Sequence, residues 1–199
     1  MSIKKLQSDR SGVVFLLLLA AIFALALFMR VYGLDSVPLG VHYDEILNGE
    51  IALDALRDGP QYFYDRAGGR EGLYHLFLTA SFALPMPVAW QLRLPSVILS
   101  LLGLILTYLW VARAFGRWAA VTATGLMAVS FWTVWMGRAA LRVNTVTPIA
   151  AGAALLMVYL LVNDERNPIS WRNRISLAKQ LGLGFVIGLC FYTYRAGYM

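Results

Sequence analysis

The sequence predicts an all-α, polytopic integral membrane protein. Of its 199 residues, 59% are hydrophobic and 14% are charged, and the mean hydropathy is +0.64. A soluble domain is about a quarter charged. The second observation is a series of charge-free segments, each close to the ~20 residues that a helix needs to cross a bilayer. The third is the clustering of basic residues between these segments, which is typical of cytoplasmic loops.

Five segments that are almost free of charged residues predict membrane spans. They cover approximately residues 11–30, 94–112, 118–137, 143–163 and 180–199. The first follows Lys4, Lys5 and Arg10 and exceeds the ~7–15 apolar residues of a cleaved signal peptide, so we expect a retained anchor. The last segment ends with the chain, so residues 1–199 are expected to be the amino-terminal part of a longer membrane domain.

The segment 72–84 leaves two topologies open. It is apolar, but Pro85 and Pro87 interrupt it after about a dozen residues, fewer than a span needs. More of the 17 basic residues face the cytoplasm if it does not cross, so the positive-inside rule favours that topology. Residues 31–92 then form one large external loop, with surface helices at about 44–57 and 72–84.

Composition also excludes several classes of function. The formal net charge of +6 is explained by basic loops that face anionic lipid, so no nucleic-acid partner is predicted. The single cysteine, Cys190, cannot by itself form a disulfide or a thiolate metal site. The sequence shows no glycine-rich nucleotide loop, and any donor substrate is therefore expected to be lipid-linked.

Two adjacent acids, Asp44 and Glu45, open the first predicted surface helix. Neighbouring side chains on a helix point about 100° apart, so we expect one acid to be reactive and the other structural. Asp44 could be a simple N-cap, because a helix start stabilises an anion. It could instead act as a general base on an incoming hydroxyl or amine, or hold a divalent cation with His42 and a distant acid.

A second acid, Glu71, lies where the external loop returns to the membrane. Gly68 and Gly69 precede it and give the backbone freedom, so Glu71 could approach Asp44 and form one cleft with it. Arg70 and His75 would then supply positive or titratable partners. The alternative is a solvated interfacial loop.

Three arginines border predicted spans. They are Arg93, Arg138 and Arg142. The spacing of four places Arg138 and Arg142 on one helical face. They could extend to lipid headgroups, but in the favoured topology both face outward, against the positive-inside trend. That mismatch predicts an anionic ligand such as a lipid phosphate.

Four pieces of sequence together resemble the GT-C polytopic glycosyltransferases, in particular the protein O-mannosyltransferase and aminoarabinose transferase group (glycosyltransferase family 39). These are Tyr43-Asp44-Glu45, Arg70-Glu71-Gly72-Leu73-Tyr74-His75-Leu76, Leu92-Arg93-Leu94-Pro95-Ser96 before an apolar helix that ends Ala112-Arg113-Ala114-Phe115-Gly116-Arg117, and Gly137-Arg138. Two positions depart from the family pattern. Gly72 stands where the family often has proline, and Asn144 stands near where it has an aspartate.

The resemblance implies a GT-C-like helical bundle that transfers a sugar from a polyprenyl-phosphate carrier to a protein, lipid or glycan acceptor. It places this chemistry on the non-cytoplasmic face of the inner (plasma) membrane, with the lipid-linked donor and membrane lipids as partners. It implies that Asp44 accepts the acceptor's proton, that Glu45 orients Asp44, and that the anomeric centre is inverted.

The other expected site residues would contact substrate. These are Glu71, Arg70, His75, Arg93, Arg138 and Arg142, with Arg138, Arg142 and Arg93 neutralising the leaving phosphate. Asp44 and Glu71 could also hold a divalent cation. Two alternatives remain open: a non-catalytic transporter or assembly subunit that uses the same acids, and an inactive truncated glycosyltransferase.

Overall fold

The structure, a computed structural model, describes residues 3–66, 68–164 and 174–193. Within them the chain forms eight α-helices and one two-stranded antiparallel ribbon, so the all-α prediction is confirmed. The helices are α1 (Ile3–Val31), α2 (Tyr43–Asp58), α3 (Gly72–Phe82), α4 (Val88–Phe115), α5 (Arg117–Val129), α6 (Phe131–Arg138), α7 (Val146–Asp164) and α8 (Arg174–Phe191). The strands are β1 (Phe63–Tyr64) and β2 (Arg70–Glu71), and a 3-10 turn, Arg142–Thr145, precedes α7.

Three segments of the described chain are long and apolar enough to cross a membrane. They are Gly12–Val31, Val88–Phe115 and Arg142–Leu160, and the bent pair α5–α6 could form a fourth. In α8 the apolar stretch, Leu177–Cys190, is shorter than a full span. Part of the predicted last span, residues 194–199, and residues 165–173 before α8 lie outside the described residues.

The segment 118–137 differs from the single straight span that its hydropathy predicts. It breaks at Ser130 into α5 and α6, which are bent by 59°. The guanidinium of Arg30 donates to the carbonyls of Ala128 (3.2 Å) and Met127 (3.5 Å). In an uninterrupted helix those two carbonyls would accept from residues 131 and 132. A side chain inserted into the helical hydrogen-bond ladder is a recognised cause of such a kink.

The long helix α4 lies at the centre of the fold and packs against α3, α5, α6 and α7. The first loop folds back onto it, because α2 packs on α3 and α3 packs on α4. A small apolar core fixes this layer through Ala52, Tyr74, Leu78 and Leu99. The loop thus contains two helices, α2 and α3. Their buried faces hold the start of α2 beside the turn that follows α6.

Candidate functional site

A cleft of about 270 Å³ opens between the start of α2, strand β2 and the turn after α6. The sequence distance between these three segments is large, since they lie near residues 44, 70 and 142. The lining residues are His42, Asp44, Asn48, Arg70, Trp135, Met136, Leu141, Arg142 and Val143. Three of the sequence-predicted site residues, Asp44, Arg70 and Arg142, thus line one cavity. A fourth, Glu71, lies next to the cavity, because it pairs with Arg142.

The start of α2 determines which acid faces this cleft. His42, not Asp44, is the N-cap, and its Nδ1 accepts from the backbone N–H of Asp44 at 3.3 Å. Glu45 completes the capping box, because its Oε2 accepts from the backbone N–H of His42 at 3.0 Å. The N-cap alternative for Asp44 is therefore wrong. Asp44 lies in the first turn with 41% of its side chain exposed, and it can face a ligand.

Arg70 holds Asp44 from the opposite wall. Its Nη2 donates to Oδ1 of Asp44 at 2.8 Å, and its Nη1 donates to Oδ1 of Asn48 at 2.9 Å. The second oxygen of Asp44, Oδ2, lies 3.9 Å from Nδ1 of His42, beyond hydrogen-bonding distance. One carboxylate oxygen is therefore fixed by an ion pair while the other remains available at the cleft.

Glu71 forms a second acid–arginine pair at the same cleft. Its Oε2 accepts from Nη1 of Arg142, and both side chains are largely buried. Strand β2 carries Arg70 and Glu71 as neighbours, so one short strand supplies a cation to Asp44 and an anion to Arg142. Glu71 and Asp44 thus lie at the same cleft, as expected, but not in direct contact. Each acid pairs with its own arginine, Asp44 with Arg70 and Glu71 with Arg142.

Glu45 is buried behind the cleft. It is fully inaccessible to solvent, and its Oε1 accepts from Nε of Arg93 at 3.2 Å and from the backbone N–H of Ala140 at 2.8 Å. These contacts join α2 to α4 and to the turn after α6. A catalytic role for Glu45 stays a prediction, and the geometry is that of a residue that holds Asp44 in place from behind.

Two of the three predicted phosphate-binding arginines are also buried, at 2% exposure for Arg93 and 6% for Arg138. Both clamp the segment that joins α1 to α2. The carbonyls that Arg93 binds belong to Leu34, Pro38 and Gly40. Those that Arg138 binds belong to Met29, Tyr32, Gly33 and Val37. Each guanidinium nitrogen of Arg138 donates to one of these carbonyls, and Nε of Arg93 donates to Glu45. This geometry does not support a phosphate contact for either arginine, whereas Arg142 lines the cleft.

His75 lies beneath the cleft and is fully buried. Its Nε2 lies 3.2 Å from Oδ1 of Asn48, and its Nδ1 lies 3.0 Å from the carbonyl oxygen of Glu71. A neutral imidazole has one N–H and can donate to one of these two acceptors. The imidazolium could donate to both, but burial, with smaller effects of Arg142 and Arg70, lowers the pKa of His75 to about 4. His75 therefore supports the network and does not line the cleft.

Two functional positions were missed by sequence reasoning. Asn48 is buried and bridges Arg70, His75 and Ala140; its spacing of four from Asp44, on the same helical face, was the available signal. Arg30 is fully buried at the end of α1, and its Nε donates to Ser100 Oγ at 2.8 Å. The position of Arg30 at the end of an apolar span was a signal for this residue. No sequence feature indicated its partners on α4 and α5.

A divalent cation does not fit the described residues. They contain no group of three or more His, Cys, Asp or Glu side chains placed to hold a metal. The two acids proposed as ligands, Asp44 and Glu71, each accept from an arginine instead. A metal held by both carboxylates would compete with the two guanidinium groups for them.

A second cavity of about 370 Å³ adjoins the first and shares His42, Trp135 and Leu141 with it. Its other lining residues include Pro38, Leu39, Gly40 and Val41. The combined space thus joins the ionised side chains of Asp44 and Arg142 to the mainly apolar residues 38–41, where Glu45 adds a carboxylate to the lining. An amphipathic ligand with a charged headgroup and an apolar tail matches this division.

The positions that depart from the family pattern have structural reasons. The N–H of Gly72 donates to the carbonyl of Tyr62 at 2.8 Å, which proline could not do. The amide nitrogen of Asn144 donates to the carbonyls of Met136 and Ala139 at the end of α6, which an ionised aspartate could not do. A Cβ at Gly137 would lie 2.6 Å from Oγ of Ser100, so this glycine lets α6 approach α4.

The family model described as dolichyl-phosphate-mannose-protein mannosyltransferase matches residues 73–199, which is more than half of the chain. The matched region begins after Glu71 and includes α4 to α7 with Arg93, Arg138 and Arg142. No curated protein and no solved structure matches.

Proposed function

The chain belongs to the dolichyl-phosphate-mannose-protein mannosyltransferase family, which makes it a multi-pass membrane glycosyltransferase of the GT-C type, and from that premise we propose a specific reaction. The protein transfers a sugar from a polyprenyl-phosphate carrier to a protein, lipid or glycan acceptor. The transfer takes place at the non-cytoplasmic face of the inner membrane.

The observation that carries this proposal is the pairing of a half-exposed carboxylate with cations at one cleft. Asp44 lines the cavity with one oxygen held by Arg70 at 2.8 Å, and Arg142 lines the same cavity. Because both residues line one cavity, Asp44 is proposed as the base for the acceptor and Arg142 as the cation for the donor phosphate. The adjoining cavity, lined by Pro38, Leu39 and Val41 besides Glu45, supports a donor that carries a lipid tail.

The proposed reaction is a single displacement. The acceptor hydroxyl transfers its proton to Asp44 as its oxygen forms a bond to the anomeric carbon. The bond from that carbon to the phosphate oxygen breaks, and the polyprenyl phosphate leaves with the bonding electron pair. Arg142 stabilises the negative charge that develops on the phosphate, a contribution that is large in a poorly hydrated site. Attack opposite the leaving group inverts the anomeric centre.

The test compares two aspartates of the same helix. Asp44 and Asp54 both lie on α2, both are partly exposed, and each pairs with an arginine at 2.8 Å, Arg70 and Arg66 respectively. Asp54 lies outside the cleft. The protein, as its full natural chain in membranes, is given radiolabelled polyprenyl-phosphate mannose and then other polyprenyl-phosphate sugars, and transfer to membrane acceptors is measured for the wild type, Asp44→Asn and Asp54→Asn.

We expect Asp44→Asn to lower transfer by a factor on the order of a hundred or more and Asp54→Asn to leave it unchanged. Equal loss in both variants would indicate damage to α2 instead of chemistry at Asp44. Full activity of Asp44→Asn would remove Asp44 from the mechanism. Absence of transfer by the wild type with every donor would favour the transporter, assembly-subunit or inactive alternatives.

A further inference from the structure

Asn48 occupies a junction that the proposed chemistry does not use directly. It is fully buried one turn after Asp44, and its side-chain amide contacts three other parts of the chain. Its Nδ2 donates to the carbonyl of Ala140 at 2.8 Å, and its Oδ1 faces Nη1 of Arg70 at 2.9 Å and Nε2 of His75 at 3.2 Å.

The orientation of this amide follows from its partners. A guanidinium can only donate and a carbonyl can only accept, so Oδ1 must face Arg70 and Nδ2 must face Ala140. The opposite orientation would place two donors together at Arg70 and two acceptors together at Ala140. Asn48 is therefore fixed in one orientation by the turn after α6, and it presents one acceptor to Arg70.

Arg70 depends on this acceptor. It is 5% exposed, and its Nε is buried with no hydrogen-bond partner in the part of the chain that the structure describes. Within those residues its hydrogen bonds go to Asn48 and to Asp44. One of the two anchors is thus the candidate base itself, and Asn48 is the anchor that stays in place when Asp44 engages a substrate.

We propose that Asn48 is the positioning residue of the site: it orients the Arg70 guanidinium so that Nη2 holds Oδ1 of Asp44 and leaves the other carboxylate oxygen for the acceptor. This inference rests on the proposed function, because it concerns the same carboxylate. It assigns Asn48 no contact with the substrate and no proton transfer. Its effect passes through Arg70, which makes it separable from a general role in stability.

A double-mutant cycle tests the connection. Transfer from radiolabelled polyprenyl-phosphate mannose, or from whichever polyprenyl-phosphate sugar the wild type uses, is measured in membranes for Asn48→Ala, Arg70→Ala and the double variant. We expect Asn48→Ala to lower kcat by a factor on the order of ten to a hundred. In the Arg70→Ala background the same change should cost less than about threefold, because the residue through which it acts is gone.

Ser96→Ala is the matched control for the loss of a buried hydrogen bond. Ser96 is fully buried and bonds the hydroxyl of Tyr74 at 2.9 Å, between α3 and α4 and outside the cleft. We expect this variant to lower the thermal midpoint in detergent with kcat retained. A loss of kcat in Asn48→Ala no greater than in Ser96→Ala at a similar midpoint would overturn the inference.

The possible results distinguish a failure of the role proposed for Asn48 from a failure of the proposed function. If the wild type is active and Asn48→Ala lowers kcat by the same factor with and without Arg70, Asn48 does not act through Arg70 and the inference fails alone. If the wild type transfers no sugar, the proposed function fails and the inference fails with it. A cost that disappears in the Arg70→Ala background supports both.

Discussion

Arg93 reaches from α4 to Glu45 on α2, with Nε 3.2 Å from Oε1, and both side chains are almost wholly buried. Each of the two charged groups also has other hydrogen-bond partners. Glu45 also accepts from backbone N–H groups of His42 and Ala140, and Arg93 also donates to the carbonyls that join α1 to α2. This pair links the first loop to the helical bundle.

We predict that Glu45→Gln destabilises the protein by about 3 kcal/mol or more, because it leaves the Arg93 charge buried without a carboxylate. The matched control is Glu50→Gln on the same helix, where Glu50 lies 3.7 Å from Arg66 and is well exposed. That change should cost less than about 1 kcal/mol. Thermal unfolding in detergent measures both, and equal midpoints for the two variants would contradict the prediction.

Arg138 and Arg142 should differ in what their loss affects. Arg138→Gln removes the clamp on the carbonyls of Tyr32 and Val37, so we expect a lower unfolding midpoint and a smaller yield of folded protein. Arg142→Gln removes the cation at the cleft, so we expect a fall in kcat/KM for the lipid-phosphate donor on the order of a hundredfold.

Arg113→Gln serves as the control for Arg142. Arg113 lies in the last turn of α4 against the ring of Tyr159, outside the cleft, and its substitution should leave kcat/KM unchanged. If Arg138→Gln folded normally and lost transfer as Arg142→Gln does, the expected phosphate role of Arg138 would regain support over the clamp role.

Gly72 should tolerate no side chain. A Cβ there would lie 2.2 Å from the carbonyl oxygen of Gln61 and 2.8 Å from that of Tyr62, so backbone must move. We expect Gly72→Ala to cost about 2 kcal/mol or more. Gly182→Ala on α8, with nothing within 4 Å of the new Cβ, should change stability by less than about 1 kcal/mol. A Gly72→Ala variant as stable as the wild type, measured by thermal unfolding, would contradict this packing.

His75 should make stability depend on pH. Burial lowers the pKa of His75 to about 4 in the folded protein, against about 6.5 for an ordinary histidine, so between these values the unfolded chain binds more protons. Stability contributed by keeping this side chain neutral is therefore complete above about pH 6.5 and falls as the pH drops towards 4, by up to about 3 kcal/mol.

The comparison with His75→Gln isolates this effect from other groups. Asp and Glu side chains also begin to titrate near the lower end of that range, and they are common to both proteins. We expect the unfolding midpoint of the wild type to fall more steeply between pH 6.5 and 4.5 than that of the variant. If the unfolding midpoints of the two proteins fell equally with decreasing pH, protonation of His75 would not be the cause of the lost stability.

Hydropathy predicted the helices well because apolar content over about 20 residues is a local property. It missed the break at Ser130, because the kink depends on Arg30, which lies 98 positions from Ala128. The acids at the start of α2 were likewise predicted as candidates, but their division of labour was not. His42 takes the cap, and Glu45 turns inward because Arg93 and Ala140 meet it there, contacts that no local pattern contains.

The two backbone hydrogen bonds of Ala140 have a consequence for how the chain folds during its synthesis. The backbone N–H of Ala140 donates to Glu45 and its carbonyl accepts from Asn48, so one residue just after the third apolar segment completes the hydrogen bonding of two buried groups of the first loop. While the chain is synthesised from its amino terminus, Glu45 and Asn48 emerge about ninety residues before this partner. The first loop must therefore remain without these two hydrogen bonds until residue 140 has been synthesised, and we expect ribosome-bound chains that end before it to expose the loop to protease.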